Sequence, residues 1–251
     1  MMLGIYLYIF LLGLLLGSFY NVVGLRIPNG QSIIRPSSHC PKCFKSLKWF
    51  ELIPVISYLI QKGRCRNCQT IISPIYPFFE LLTGLLFIFA FNEIGFNIEL
   101  IVAWMLISLL IIITISDLHY KIISNKVLTF FAITIIVIRI WNPTEPWYDA
   151  YLAAVLGFGL LLLIAIVSKG GMGGGDIKLF GVIGLFLGNQ GTLVTLFLAS
   201  LLGAVIGLVL MAFKKVKRGV PIPFGPFIAA SALITYFYSD QLISWYLSLF
   251  I

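Results

Sequence analysis

The 251-residue sequence predicts an all-α polytopic membrane protein of about eight transmembrane helices with one long cytosolic loop. Three observations predict it. Hydrophobic residues make up 60% of the chain and charged residues only 10%, against roughly 45–50% and about 25% in a soluble domain. Mean hydropathy is +1.05, which leaves too little polar surface to coat a globule of this size. The apolar residues also fall in runs that approach the roughly 20 residues a helix needs to cross about 30 Å of hydrocarbon. A soluble enzyme and a disordered tail are both excluded.

The first span covers residues 2–23. No Lys or Arg precedes Arg26, so it lacks the basic region of a cleavable signal and reads as a retained anchor. A long polar loop follows, and further spans are expected over 75–91, 98–116, 127–141, 150–167, 177–187, 192–213 and 227–238. The sixth and eighth are short for a bilayer. This divides the chain into a first transmembrane helix (1–25), a cysteine-bearing loop (26–74) and a seven-helix membrane region (75–251).

Positive loops stay in the cytosol. Alternate loops hold 16 of the 17 basic residues, including the cluster Lys214, Lys215, Lys217 and Arg218, and the opposite loops hold only Arg139. The N-terminus is therefore expected outside and the cysteine loop inside, in a multi-pass protein of the cytoplasmic (inner) membrane. On this reading the net charge of +8 marks topology and membrane lipid, and no nucleic-acid partner is expected. The loop residues Lys42, Lys45, Lys48, Lys62, Arg64 and Arg66 could face anionic headgroups or serve only as the orientation signal.

All four cysteines lie in that loop, as Cys40-x-x-Cys43 and Cys65-x-x-Cys68 with 21 residues between the pairs. Cytosolic thiols stay reduced, so disulfides are not expected. Paired Cys-x-x-Cys knuckles suit a structural Zn²⁺ held by four thiolates, although the gap falls just outside the usual ribbon spacing. Metal binding would then supply much of the loop's folding free energy. His39 precedes the first cysteine, but four thiolates already fill the shell.

Acidic residues beside hydrocarbon are costly and so carry a functional hypothesis. Asp117 closes the third span. Asp176 opens the sixth, behind Gly170, Gly171, Met172, Gly173, Gly174 and Gly175. Both fall at the cytosolic ends of their spans, so they could meet although 58 positions apart. Asp176 could also be a simple helix cap, and Asp117 a solvated residue ending a span. The glycine run speaks against the bland reading, because bare backbone would let an extended peptide lie beside the carboxylate. A sixth span of 11 residues, about 16 Å long, would also leave Asp176 recessed in a water-filled cavity. Two carboxylates brought together cannot both ionise cheaply, so the pair shares a proton, the state an aspartic protease needs.

In order and spacing the chain resembles the type IV prepilin peptidases, membrane aspartic proteases of the GxGD group. The resemblance runs over nearly the whole length. It includes Gly17-Ser18-Phe19-Tyr20-Asn21-Val22-Val23, Cys40-Pro41-Lys42-Cys43, Gly63-Arg64-Cys65-Arg66-Asn67-Cys68, Tyr76-Pro77 and Glu80. The Asp117 segment, Gly173-Gly174-Gly175-Asp176 with Lys178, and Pro223-Phe224-Gly225-Pro226 complete it. The resemblance implies a catalytic dyad of Asp117 and Asp176 supported by Gly173, Gly175 and Lys178. It implies cleavage of type IV prepilins or pseudopilins after a Gly that ends a short basic leader. It further implies N-methylation of the new N-terminus with S-adenosylmethionine, with Gly63 the nearest match to the segment tied to the methyl donor. The chain is similar to the compact members found in competence systems. One departure is visible: Ile123-Ser124-Asn125 stands where the family often has Ile-Pro-Asn.

Two other classes fit parts of the sequence. A glycine-interrupted span with an Asp also describes a proton or cation transporter, though no internal repeat accompanies it. A non-enzymatic assembly scaffold explains the cysteine loop but leaves the glycine run and Asp176 without a role.

Overall fold

The computed structural model describes residues 2–169, 171–213 and 222–248. The Lys214, Lys215, Lys217 and Arg218 cluster and Gly170 lie outside the described residues. The described chain is helical: α1 (Met2–Arg26), α2 (Ile56–Ile60), α3 (Ile75–Ile94), α4 (Ile98–Tyr120), α5 (Asn125–Trp141), α6 (Asp149–Val167), α7 (Gly174–Ala212) and α8 (Gly225–Ser248), with a 3-10 turn at Trp49–Leu52. Five of them, α1, α3, α4, α6 and α7, are long and apolar enough to cross a membrane.

The chain forms two compact units, Met1–Leu100 and Ile101–Ile251. In the first, α1 packs on α3. Their backbones come close because Gly13 and Gly17, one turn apart, present no side chain. A Cβ on Gly13 would lie 2.7 Å from Gly84 Cα, and one on Gly17 would lie 2.8 Å from Glu80 Cα. Apolar side chains gain little by leaving lipid for each other, so small residues that admit tight van der Waals packing hold such pairs together.

In the second unit α4 is the core helix. Leu106, Ile107, Leu109, Leu110, Ile113 and Ile115 are all essentially inaccessible, as expected of a helix that is apolar all round. In the same unit α6 packs on α7, and α7 on α5 and α8.

Several boundaries differ from the sequence expectation, among them the end of α8, which runs to Ser248 where 238 was expected. α4 continues to Tyr120, so Asp117 lies inside its last turn and not beyond its end. α7 begins at Gly174, so Gly174 and Gly175 are helical, and among the described residues of the glycine run 171–173 are irregular. Asp176 therefore stands in the first turn of a helix, where a carboxylate is favoured by the positive end of the dipole. The spans expected over 177–187 and 192–213 form one element with a break at Gly188, whose φ of 69° and ψ of −176° are not helical.

Such a break strips hydrogen-bond partners from the residues on both sides. Arg139, only 5% exposed, supplies donors on one side: its guanidinium bonds the carbonyls of Leu185 (3.4 Å) and Phe186 (3.2 Å). Asp149 supplies acceptors on the other, taking the Asn189 backbone N–H at 3.1 Å and its side-chain amide at 2.5 Å. Replacing Arg139 by Met leaves the two carbonyls short of donors. The expected cost is about 1–3 kcal/mol of stability, read as a lower midpoint of thermal unfolding in detergent.

Candidate active site and metal centre

The ends of four helices meet around Asp117 and Asp176 in the second unit. Asp117 is 6% exposed, held in the last turn of α4, and its Oδ2 accepts the backbone N–H of Gly225 at 2.7 Å. Gly225 is the first residue of α8, so this N–H is one of the donors that a helix start leaves without an internal partner. Phe224 closes the turn by accepting the N–H groups of Phe227 and Ile228. Asp176, half-buried, accepts the backbone N–H of Gly173 and interacts through its charge with Asp117. Gly173 is the N-cap of α7 and has no side chain to fill that role itself.

The two carboxylates are thus held alike, each on an orphan N–H at a helix start and each over a glycine. Both glycines are required by space. A Cβ on Gly225 would lie 2.8 Å from Asp117 Oδ2, and one on Gly173 would lie 2.9 Å from Asp176 Oδ2.

The segment between α4 and α5 closes the arrangement. The Ser116 hydroxyl bonds the Ile122 carbonyl. Ile123 packs on Gly175, where a Cβ would meet the Ile123 Cβ at 2.8 Å. Lys178 donates to Asn125 Oδ1 at 3.0 Å, joining the start of α7 to the start of α5. Ser124, where Pro is common in the family resembled, caps α5 with φ −73°, an angle proline also takes. The five residues expected at this site, Asp117, Gly173, Gly175, Asp176 and Lys178, therefore lie together. Gly225 was not singled out for this role. Its sequence signal was the Pro223-Phe224-Gly225-Pro226 string, but a backbone donor leaves no mark of its own.

In the first unit the four cysteine sulfurs come within 4.8 Å of one another. Two separations are 3.7 Å (Cys40 to Cys68) and 4.0 Å (Cys43 to Cys65). A tetrahedral Zn²⁺ with sulfurs about 2.3 Å away has edges of about 3.8 Å, so the donor set fits a metal of this kind. The two knuckles are copies. In each the first Cys accepts an N–H four residues on (Phe44, Gln69) and donates to a carbonyl five residues on (Lys45, Thr70). Phe44 and Gln69 both take φ 56°. His39 is not among these donors; its Nδ1 faces the Ser37 carbonyl at 2.9 Å.

Basic residues of the loop also have local partners. The Arg66 guanidinium lies 5.0 Å and the Lys48 ammonium 5.8 Å from the Phe50 ring centre, an attractive arrangement. Lys45 reaches Asn67 Oδ1 at 3.5 Å.

The thiols are tuned unequally. The N–H of Lys45 and the Asn67 side chain hold Cys43 down to about 6. The N–H groups of Cys68 and Asn67 lower Cys65. For Cys68 the Thr70 N–H works downward, yet burial and the neighbouring thiols push it up to about 11. Thiolate is the ligand form, so metal capture near neutral pH must expel the Cys68 proton, and acid must compete with the metal. Bound zinc is expected at about one per chain, retained near neutral pH and lost progressively as acid protonates the thiolates. Elemental analysis after dialysis at a series of pH values measures it, and Cys43→Ser with Cys68→Ser should hold none.

The comparisons with known proteins show the family. The model of the bacterial peptidase A24 N-terminal domain matches residues 11–94, and that of the type IV leader peptidase family matches residues 104–208. A prepilin leader peptidase/N-methyltransferase of Bacillus subtilis (strain 168) is 43% identical over 241 residues, covering 96% of this chain and 97% of that one. A protein of the same description from Myxococcus xanthus (strain DK1622) is 37% identical over 209 residues, 81% of this chain and 62% of its own. Another, from Aeromonas salmonicida (strain A449), is 31% identical over 274 residues, 96% of this chain and 93% of its own. No solved structure matches. The resemblance read from the motifs is borne out: the chain belongs to the type IV leader peptidase family.

Proposed function

We propose that this protein is an aspartic endopeptidase of the bacterial cytoplasmic membrane. It removes the short basic leader from type IV prepilins or pseudopilins after Gly at the cytosolic face, and N-methylates the new N-terminus with S-adenosylmethionine. The observation that carries the reading is the pair of carboxylates, Asp117 and Asp176, each fixed by a helix-start N–H. Relatives named for peptidase and N-methyltransferase activities support both halves.

In this reading Asp117 and Asp176 share one proton. The ionised member takes a proton from water, which attacks the carbonyl of the scissile bond. The protonated member polarises that carbonyl and then supplies the leaving amine with its proton. The N–H donors of Gly225 and Gly173 hold the carboxylates in register, so little reorganisation is needed when charge develops. Lys178, tied to Asn125, steadies the start of α7 beside the dyad.

The cysteine-bearing loop, residues 26–74, is assigned to methyl transfer. Zn²⁺ on Cys40, Cys43, Cys65 and Cys68 would give it structure, and Gly63 would stand near the methyl donor. An eight-span arrangement with the N-terminus outside would put this loop and the dyad on the cytosolic side, and the distribution of Lys and Arg supports it. The test is the intact mass of a prepilin co-expressed with the protein. Loss of the leader, followed by gain of one methyl group, supports the reading. An intact leader on every prepilin of the same genome would sink it.

A further inference from the structure

The first unit holds a second polar cluster, which neither the dyad nor the metal centre uses. Ser18 and Asn21 are three residues apart on α1, and Tyr76 and Glu80 four apart on α3, so each pair shares a helix face. The two faces form a ladder. The Ser18 hydroxyl donates to the Glu80 carboxylate, and the Asn21 side-chain amide donates to the Tyr76 carbonyl at 3.2 Å. Both Glu80, 9% exposed, and Asn21, 4% exposed, are buried. Among the described residues the Asn21 Oδ1 accepts no hydrogen bond.

The ladder also grips the cysteine-bearing loop. The Val55 N–H donates to Glu80 Oε2 at 2.7 Å. Val55 has φ 61° and ψ −52°, and the Ile56 N–H bridges it to the Pro54 carbonyl at 2.6 Å. This is the rare, strained form of γ-turn, here on a β-branched residue that tolerates positive φ poorly. α2 starts immediately after it, and the Tyr58 carbonyl accepts the Gly63 N–H at 3.0 Å, two residues before Cys65. One continuous run of contacts therefore leads from Glu80 to the metal centre.

A cross-link that served only to join α1 to α3 would need neither a strained turn nor an acceptor left without a donor. Both are destabilising; the strained turn donates to the buried carboxylate, and the unpaired oxygen belongs to Asn21, one helical turn from the Ser18 that bonds the same carboxylate. Strain held by its surroundings gathers at functional sites.

We propose that Glu80 and Asn21 form the amine site of methyl transfer and receive the α-amino group that leader cleavage frees. The proposal rests on the two-activity reading above. An amine arrives as an ammonium with three N–H donors. A carboxylate offers about four lone-pair positions, of which Val55 and Ser18 occupy two, and the Asn21 oxygen adds its own. Glu80 takes one proton from the ammonium. The nitrogen lone pair then attacks the methyl carbon of the sulfonium donor. The C–N bond forms as the C–S bond breaks, and the electron pair of that bond remains on sulfur as a thioether. The product is a secondary ammonium, and the proton on Glu80 passes to water.

The experiment uses the full chain in detergent with a co-purified prepilin and S-adenosylmethionine, followed by intact mass. Glu80→Gln keeps the shape and an acceptor for the Val55 N–H but cannot take the proton. Leader removal is expected to stay within about twofold of wild type, while the methylation rate falls about 10²-fold or more. Asn21→Leu removes the orphan oxygen at similar volume. It is expected to raise KM for a pre-cleaved pilin peptide by about tenfold with kcat nearly kept. Equal methylation by Glu80→Gln and wild type overturns the proposal. Loss of cleavage together with methylation in Glu80→Gln makes the residue a structural clamp and overturns it too. A wild-type protein that cleaves without adding a methyl group overturns the two-activity reading and the proposal with it.

Discussion

Asp117→Asn and Asp176→Asn are each expected to leave a co-expressed prepilin at its full, leader-bearing mass, with cleavage reduced about 10³-fold or more. The carboxamide is the right probe because it changes the chemistry and little else. Asn keeps an oxygen that can accept the N–H of Gly225 or Gly173, so both helix starts remain capped. It cannot give or take the shared proton. Because the two residues act as one unit, the double variant should be scarcely worse than either single one. The cysteine cluster belongs to the other compact unit, so bound zinc and methylation of a pre-cleaved peptide should survive in both variants. Normal processing by either variant would remove it from the mechanism. Loss of zinc along with cleavage would point to misfolding instead.

The parts of this site that were legible in the sequence are those whose chemistry resides in side chains. Four cysteines in two Cys-x-x-Cys pairs leave few alternatives to a metal. An Asp at the edge of an apolar run costs enough free energy to demand a reason. Helix identity was legible for the same kind of reason, because 18 or more apolar residues fit few other structures. What escaped were pairings made by backbone and by space. Gly225 acts through an N–H that every residue but proline has. The spacing of Gly13 and Gly17 is written in the chain, but the partner backbone at Glu80 and Gly84 is not. Arg139 and Asp149 looked like loop charges useful for topology. Only the break at Gly188 shows why both are needed where they are. Helix ends were displaced by a few residues because the last turns of α4 and the first of α7 are held by tertiary partners, which local sequence does not display.

The same distinction between side-chain and backbone chemistry predicts an uneven response when the glycines near the dyad are replaced by alanine. At Gly174 a Cβ meets nothing within 4 Å, and alanine favours helix over glycine, so Gly174→Ala should cleave like wild type. At Gly173 the new Cβ would press on Asp176 Oδ2 at 2.9 Å, but the Cγ lies 3.8 Å away. Asp176 is only half-buried, so its carboxylate can turn aside at a moderate loss of rate. At Gly225 no such escape exists. The Cβ would meet Asp117 Oδ2 at 2.8 Å and its Cβ and Cγ at 3.1 Å, and Asp117 is buried in the core helix. Either α8 or the carboxylate must move, and the 2.7 Å hydrogen bond is lost with the movement. A displacement of about 1 Å in a reacting group costs about 10²-fold in rate. Gly225→Ala is therefore expected to lower kcat for leader removal by about that factor while KM stays within about threefold, because the groups that bind substrate have not changed. Steady-state cleavage of a purified prepilin by the three variants measures the series. A Gly225→Ala protein with wild-type kcat would show that Asp117 does not need its backbone donor, and would leave the helix-start geometry without a catalytic role.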